Sequence, residues 1–208
     1  MASVGTHIKR RWALIGGGAV TIIAILLLIL VKSGAWGTWR EGLAYQLRDQ
    51  AYAVMLEELP GSYELELDLT DPESNLGKVL YADESGCQIT VRDLKPAINA
   101  GGYGVIFQAE GVCTPAGGQL VSGCYDHRTG KHSYSVELSA VMQTSVDGVQ
   151  LPPSHDCLKS SLDKHGNAFG FFLYPLECEP LLSEEPPSSG TVTVTVTGLS
   201  RFSTRRIS

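Results

Sequence analysis

The stretch Thr191–Thr197, with the sequence TVTVTVT, decides the fold class, because valine and threonine alternate strictly along it. Successive side chains of a β-strand point to opposite faces of the sheet, so the pattern predicts one buried valine face and one wet threonine face. Both residue types are β-branched and favour extended backbone. We therefore expect an antiparallel sheet that covers a core on one side only.

The same alternation recurs in YELELDL, residues 63–69, and shorter apolar runs between glycine and proline turns predict further strands. These runs are residues 78–82, 87–91, 104–109, 133–142 and 169–174. The last contains three of the chain's five phenylalanines, which favours a central buried strand. Residues 62–208 are thus predicted to form one mainly β domain, an antiparallel β-sandwich-like fold stabilised by disulfides.

The N-terminal part of the chain contains an uncharged apolar run, residues 13–31, with basic residues at 9–11 before it and Lys32 after it. A helix of this length reaches roughly 28 Å, close to the ~30 Å hydrocarbon core of a bilayer. The run predicts a single transmembrane helix acting as a signal anchor. The positive-inside rule then places residues 1–12 in the cytoplasm and the C-terminal domain in the periplasm or outside the cell.

Two other fates of this N-terminus remain open. Ser33-Gly34-Ala35 resembles the small-residue cleavage site of a secretory signal, which would release a domain beginning at Trp36. The glycine run 16–18, between a basic tail and an apolar helix, resembles a type IV pilin leader. That resemblance implies a pilin-like or pseudopilin-like filament subunit, although Ile23 stands where the family carries a glutamate.

A second helix is predicted over residues 38–59, as an amphipathic neck between the membrane and the domain. Thr38 and Glu41 have the spacing of a capping box, and Pro60-Gly61 ends the segment. An apolar stripe recurs every four residues. Its members are Leu43, Leu47, Ala51, Met55 and Leu59. Trp36 and Trp39, just before this helix, are expected at the membrane interface, where an apolar ring with one N–H donor is favoured.

All five cysteines follow the apolar run, which in an exported domain makes them disulfide candidates. We predict the local pairs Cys113–Cys124 and Cys157–Cys178, with Cys87 left as a buried thiol. A metal site is the alternative, because His127 and His132 lie near Cys124 in the sequence. The expected fourth ligand, a neighbouring thiolate, is missing from that pattern, so we predict neither metal nor cofactor.

The charge of the chain bears on its partners. From Lys32 onward the chain carries 13 basic and 22 acidic residues, which disfavours nucleic acid as a partner. No nucleophile elbow occurs, and the triad letters of Ser154-His155-Asp156 are adjacent, whereas triads assemble across a fold. We therefore predict no enzyme. The expected function is a binding or assembly subunit of an envelope or membrane complex, with the lipid bilayer, protein partners or its own copies as partners. The pilin-like or pseudopilin-like filament subunit is the alternative, and a membrane-tethered hydrolase using His127 or His155 is the second alternative.

Overall fold

The computed structural model describes residues 20–97, 102–128, 134–154, 162–174 and 188–207. Three helices open the described chain: α1 (Val20–Lys32), α2 (Ala35–Glu41) and α3 (Leu43–Arg48). Strands then follow in close succession. The first seven are β1 (Tyr52–Glu58), β2 (Tyr63–Asp68), β3 (Val79–Ala82), β4 (Gln88–Ala97), β5 (Gly102–Glu110), β6 (Val112–Thr114) and β7 (Gly117–Ser122). The others are β8 (Cys124–Arg128), β9 (Tyr134–Leu138), β10 (Val141–Val146), β11 (Val149–Gln150), β12 (Gly166–Phe172), β13 (Thr191–Thr197) and β14 (Ser200–Arg206).

Every strand pairing among the described residues is antiparallel. One four-stranded sheet has the order β1-β14-β7-β6, a second β11-β10-β13-β2, and a third β12-β5-β4-β3, while β8 and β9 form a separate hairpin. The expectation of a mainly β, antiparallel, sandwich-like domain is confirmed at this level. A short 3₁₀ turn, Pro72–Asn75, connects β2 to β3.

The valine-threonine stretch behaves as its alternation predicts. It forms β13, which lies between β10 and β2 in the second sheet, and its three valines are buried. Val194 lies opposite Leu65 and Val192 opposite Leu67 on β2, so the two alternating sequences bury their apolar faces together. The threonines are half-buried or exposed, as a wet face requires.

A single apolar cluster connects the three large sheets, and it includes Leu67, Phe107, Leu120 and Phe169. Strand β7 contacts β4, β5 and β12, which brings the first sheet against the third. The rings of Phe107 and Phe169, which lie opposite each other on β5 and β12, are 5.6 Å apart and completely buried. The phenylalanine-rich strand, β12, is buried as predicted, although it lies at the end of its sheet rather than at the centre.

The strand predicted over residues 133–142 is two strands. The backbone amides of Ser139 and Ala140 both donate to the carbonyl of Gly123, at 2.8 and 2.9 Å. This contact interrupts the extended chain, so that β9 pairs with β8 and β10 pairs with β13.

The prediction of a continuous neck helix over residues 38–59 is wrong. Helix α2 begins at Ala35 without a side-chain cap, Thr38 is buried inside it, and Gly42 separates it from α3. The chain leaves the helical conformation at Asp49, whose side chain accepts the Ala51 amide at 2.7 Å. Residues 52–58 then form β1, because β14 supplies a full antiparallel ladder along them.

The apolar segment is bent where it meets the domain. Among the described residues, no single helix is both long enough and apolar enough to cross a bilayer. Helices α1 and α2 satisfy the criteria of length and composition together, with a bend of 68° between them. Residues 1–19, which contain the first part of the predicted span, lie outside the described residues.

Candidate functional site

The described part of the chain has two unusual surfaces: the region where α1 joins the β domain, and the free side of β1. We call residues 32–52 together with β14 the anchor junction, and the unpaired side of Tyr52–Glu58 the open edge. Every side chain of α1 is exposed, including a continuous series of isoleucines and leucines. Exposed apolar surface of this extent marks contact with lipid or with another protein.

Trp36 and Trp39 lie on the outer face of α2, directly after the bend. They are 44% and 67% exposed, and their rings lie 5.4 Å apart. Thr38, between them in sequence, points the other way and is buried against the domain. The two rings therefore extend away from the domain at the end of the apolar helix, the arrangement expected of an interfacial anchor.

A buried polar cluster around Gln46 holds the two short helices to the domain. The Gln46 amide nitrogen donates to the Thr114 carbonyl at 2.6 Å and to the Thr38 hydroxyl at 3.3 Å. Its amide oxygen accepts the Thr204 hydroxyl at 2.7 Å, and Thr204 in turn accepts the Gly118 amide. Since Gln46 is completely buried, the cluster joins α2, α3, β14 and the β6–β7 turn without competition from water.

Strand β14 also contacts the end of α1 directly. Arg206 donates from Nη2 to the carbonyl of Lys32, and its guanidinium lies over the Tyr52 ring, 6.0 Å from the centroid. The Tyr52 hydroxyl donates to the Pro115 carbonyl at 3.0 Å. Gly34 has φ +73°, and an added Cβ would lie 2.5 Å from Arg206 and 2.6 Å from Tyr52. The junction is therefore a close-packed connection rather than a flexible linker.

Among the described strands, β1 is the end strand of its sheet and is paired on one side only, with β14. Val54, Met55 and Leu56 are 45%, 62% and 54% exposed. Since successive side chains of a strand point to opposite faces, both faces of β1 are exposed at its centre. Val54 lies opposite Thr204 and Leu56 opposite Phe202, both of which are buried. The core-facing side of the sheet thus continues outward onto β1 and is left uncovered there.

The predicted bond between Cys113 and Cys124 is absent from the structure. Cys113 is a half-buried free thiol on β6, opposite Gly118 of β7, so backbone pairing closes this hairpin. Cys124 is completely buried, and its amide donates to Ser122 inside the core. Burial raises the pKa of the Cys113 thiol. Cys157 and Cys178 lie outside the described residues, so their predicted bond stays a prediction.

Cys87 is a buried free thiol, as predicted, and lies beside a charged cluster. Arg201 donates to the Asp83 carboxylate at 2.8 Å and to the Tyr81 hydroxyl at 3.2 Å, and Tyr81 donates to Asp83 at 2.9 Å. Ser85 donates to the same carboxylate through its hydroxyl.

Two opposing effects set the protonation of this cluster. Desolvation would raise the pKa of the Asp83 carboxyl, but hydrogen bonds from Ser85 and Tyr81 outweigh it and bring that pKa down to about 2. A carboxylate this acidic is a weak base at neutral pH, so it is suited to holding the β3–β4 turn rather than to taking a proton from Ser85.

The residues considered for chemistry are largely outside the described parts. Ser154 is buried and pairs through its backbone with Met142, while His155 and Asp156 lie outside the described residues, as does His132. His127 is on β8, and its side chain is not described. Within the described residues, no three His, Cys, Asp or Glu side chains converge as a metal site would require.

Comparison with known proteins gives no assignment. No protein-family model matches the chain, and neither a curated protein nor a solved structure is significantly similar to it. The protein is therefore classified by its architecture alone: a mainly antiparallel β domain attached by a close-packed junction to an exposed apolar helix. The exposed strand β1 was missed at the sequence level, because its partner β14 is about 150 residues away.

Proposed function

We propose that this protein is a membrane-anchored binding or assembly subunit of an envelope or membrane complex, without catalytic activity. Its apolar N-terminal helix crosses the bilayer with residues 1–12 in the cytoplasm, and its β domain lies in the periplasm or outside the cell. The observation that carries the proposal is the anchor junction, in which the buried Gln46 cluster holds α2 and α3 to the β domain and Arg206 contacts the end of the exposed apolar helix.

A rigid junction suits assembly better than it suits a tethered enzyme. A long flexible tether lets a domain search a large volume, whereas a close-packed junction fixes the height and orientation of the domain. Trp36 and Trp39 then lie at headgroup level, and the domain presents a defined surface to neighbouring proteins. The acidic balance beyond Lys32 supports protein partners rather than nucleic acid.

The membrane part of the proposal is tested on full-length protein in native membranes. We expect the chain to resist alkaline carbonate extraction, to have an intact mass beginning at Met1 or Ala2, and to lose its β domain to protease added from outside. Release by carbonate would contradict the anchor. A mass beginning at Ala19 would favour the pilin-like filament subunit, and one beginning at Trp36 a secreted domain.

The assembly part is tested after extraction in mild detergent. We expect a particle larger than one chain, containing either copies of this protein or a stable partner. A strictly monomeric particle would contradict assembly. Hydrolase activity that falls on replacing both His127 and His155 with alanine would contradict the non-catalytic assignment and restore the tethered enzyme.

A further inference from the structure

The open edge of β1 has unused hydrogen-bonding groups. Leu59 donates its amide to Leu199, and Ile207 donates its amide to Ala51, at 2.8 and 2.7 Å. Hydrogen-bonded pairs alternate along an antiparallel ladder, so the odd-numbered residues of β1 bond to β14. The even-numbered residues, including Val54 and Leu56, direct their N–H and C=O groups outward, where no other described strand pairs with them.

Natural proteins normally protect such an edge. The usual devices are a short strand, a bulge, a proline or a lysine. Strand β1 is seven residues long, pairs with β14 without a register shift, and contains neither proline nor lysine. Its exposed centre is Val54-Met55-Leu56, and its acidic residues are confined to the end at Glu57 and Glu58. An edge of this kind is suited to accept another strand.

We propose that the open edge pairs with the open edge of a second copy of this chain, in antiparallel register centred on Met55. In this register Val54 lies opposite Leu56 of the other copy, and Met55 lies opposite Met55. The outward-facing even residues of the two strands then meet one another, as an antiparallel ladder requires. Two four-stranded sheets become one continuous sheet.

Charge complementarity favours a second copy over an unrelated strand. Arg205 lies opposite Ala53 within one chain, and the proposed register brings Glu57 of the second copy to the other side of Ala53. The three residues share one face of the sheet, with Arg205 and Glu57 two strands, roughly 10 Å, apart at their backbones. Both are exposed, and the small Ala53 side chain between them leaves room for an ion pair. The two-fold axis produces this pair twice.

The proposal rests on the membrane-anchored assembly function and names its partner. The Tyr52 end of β1 is at the anchor junction, so antiparallel pairing separates the two anchors by about one strand length, roughly 20 Å. Two anchors at this separation fit in one bilayer when β1 runs along the membrane surface. Confinement of both copies to one membrane raises their effective concentration, which compensates for the small area of a single strand pair.

Disulfide crosslinking of the full-length protein in membranes tests the register. Met55→Cys is expected to form a dimer under mild oxidation, because facing residues of a non-hydrogen-bonded pair are about 4.5 Å apart between Cα atoms. Ala53→Cys alone and Glu57→Cys alone are the matched controls, and neither should form a dimer. Differently tagged Ala53→Cys and Glu57→Cys copies, mixed in one membrane, should crosslink to each other. Wild-type protein measures the background from the native cysteines.

A charge swap tests the partner. In the Met55→Cys background, Glu57→Arg and Arg205→Glu should each slow crosslinking roughly fivefold, and the double variant should restore it. No Met55→Cys dimer, or one no faster than the Ala53→Cys control, would overturn self-pairing, as would a stable foreign strand on β1. Those results leave the anchor standing if the protein still resists carbonate, so the two failures are distinguishable.

Discussion

Replacing Gln46 with leucine should weaken the attachment of α2 and α3 to the β domain, and the hydrogen bonds lost give the expected fall in the free energy of unfolding. The substitution keeps the volume of the side chain but removes three hydrogen bonds, at 2.6, 2.7 and 3.3 Å. Thr204 retains a contact with the Gly118 carbonyl at 3.3 Å, whereas the Thr114 carbonyl loses its side-chain donor. At about 1 kcal/mol for each bond, the free energy of unfolding should fall by about 3 kcal/mol.

The assay is urea unfolding of the full-length protein in mild detergent, followed by far-ultraviolet circular dichroism. With a slope of about 2 kcal/mol per molar urea, the midpoint should fall by roughly 1.5 M. Gln143→Leu is the matched control, because that half-buried glutamine donates a single bond of 3.3 Å to Leu151. A Gln46→Leu midpoint indistinguishable from that of Gln143→Leu would refute the role of the cluster.

Three further substitutions test other parts of the structure. Since the pKa of Asp83 is depressed to about 2, its contribution to stability is complete above the ordinary carboxyl range and is lost as the pH falls through 4 toward 2. The difference in free energy of unfolding between wild type and Asp83→Asn should therefore close over that interval in acid titrations. A constant difference would contradict the hydrogen bonds that Ser85 and Tyr81 donate to Asp83. Burial raises the pKa of Tyr174 to about 12, and its hydroxyl has no partner in the described structure. Tyr174→Phe should therefore leave the melting temperature unchanged or raise it, and a drop of more than about 4 °C would show a missed hydrogen bond. Gly42→Ala should lower the free energy of unfolding by about 3 kcal/mol or more, because φ is +57° and the new Cβ would lie 2.0 Å from the Lys164 carbonyl. Gly148→Ala, at φ +80° in open space, should lower it by about 1 kcal/mol. Equal losses in urea titrations would contradict the close approach at Gly42.

The domain class followed from the sequence because its strongest signals are local. In β13 and β2 the alternation itself determines which face is buried, and the two strands pair with those faces together. The buried aromatic strand β12 followed from composition in the same way. In each case a single stretch carries enough apolar side chains to specify its own environment.

The helix predicted over residues 38–59 was wrong because distant parts of the chain determine the conformation of its second half. An apolar residue recurs every four positions from Leu43 to Leu59, yet the second half of that run forms a strand. Its residues include Val54, a strand former, beside Met55 and Leu56, which favour helices, so local preference is divided. What decides the conformation of β1 is the ladder supplied by β14, which lies about 150 residues further along the chain.

The Cys113–Cys124 bond was predicted wrongly for a related reason. Spacing indicated that Cys113 and Cys124 could close a short loop, but spacing does not report depth in the fold. Cys113 lies half-buried on an outer strand and Cys124 lies in the core beyond the end of β7. The Gln46 cluster could not be predicted from the sequence either, because the hydrogen-bond partners Thr114 and Thr204 are distant from Gln46 along the chain.

The position of β14 between β1 and β7 constrains the order of events during biosynthesis. Strand β1 leaves the ribosome soon after the apolar helix, but its partner is synthesised about 150 residues later. At the usual 5–20 residues per second, β1 waits about 8–30 seconds without a ladder. Throughout that interval both edges of an apolar strand are unsatisfied, so β1 is open to pairing with other chains until β14 has been made.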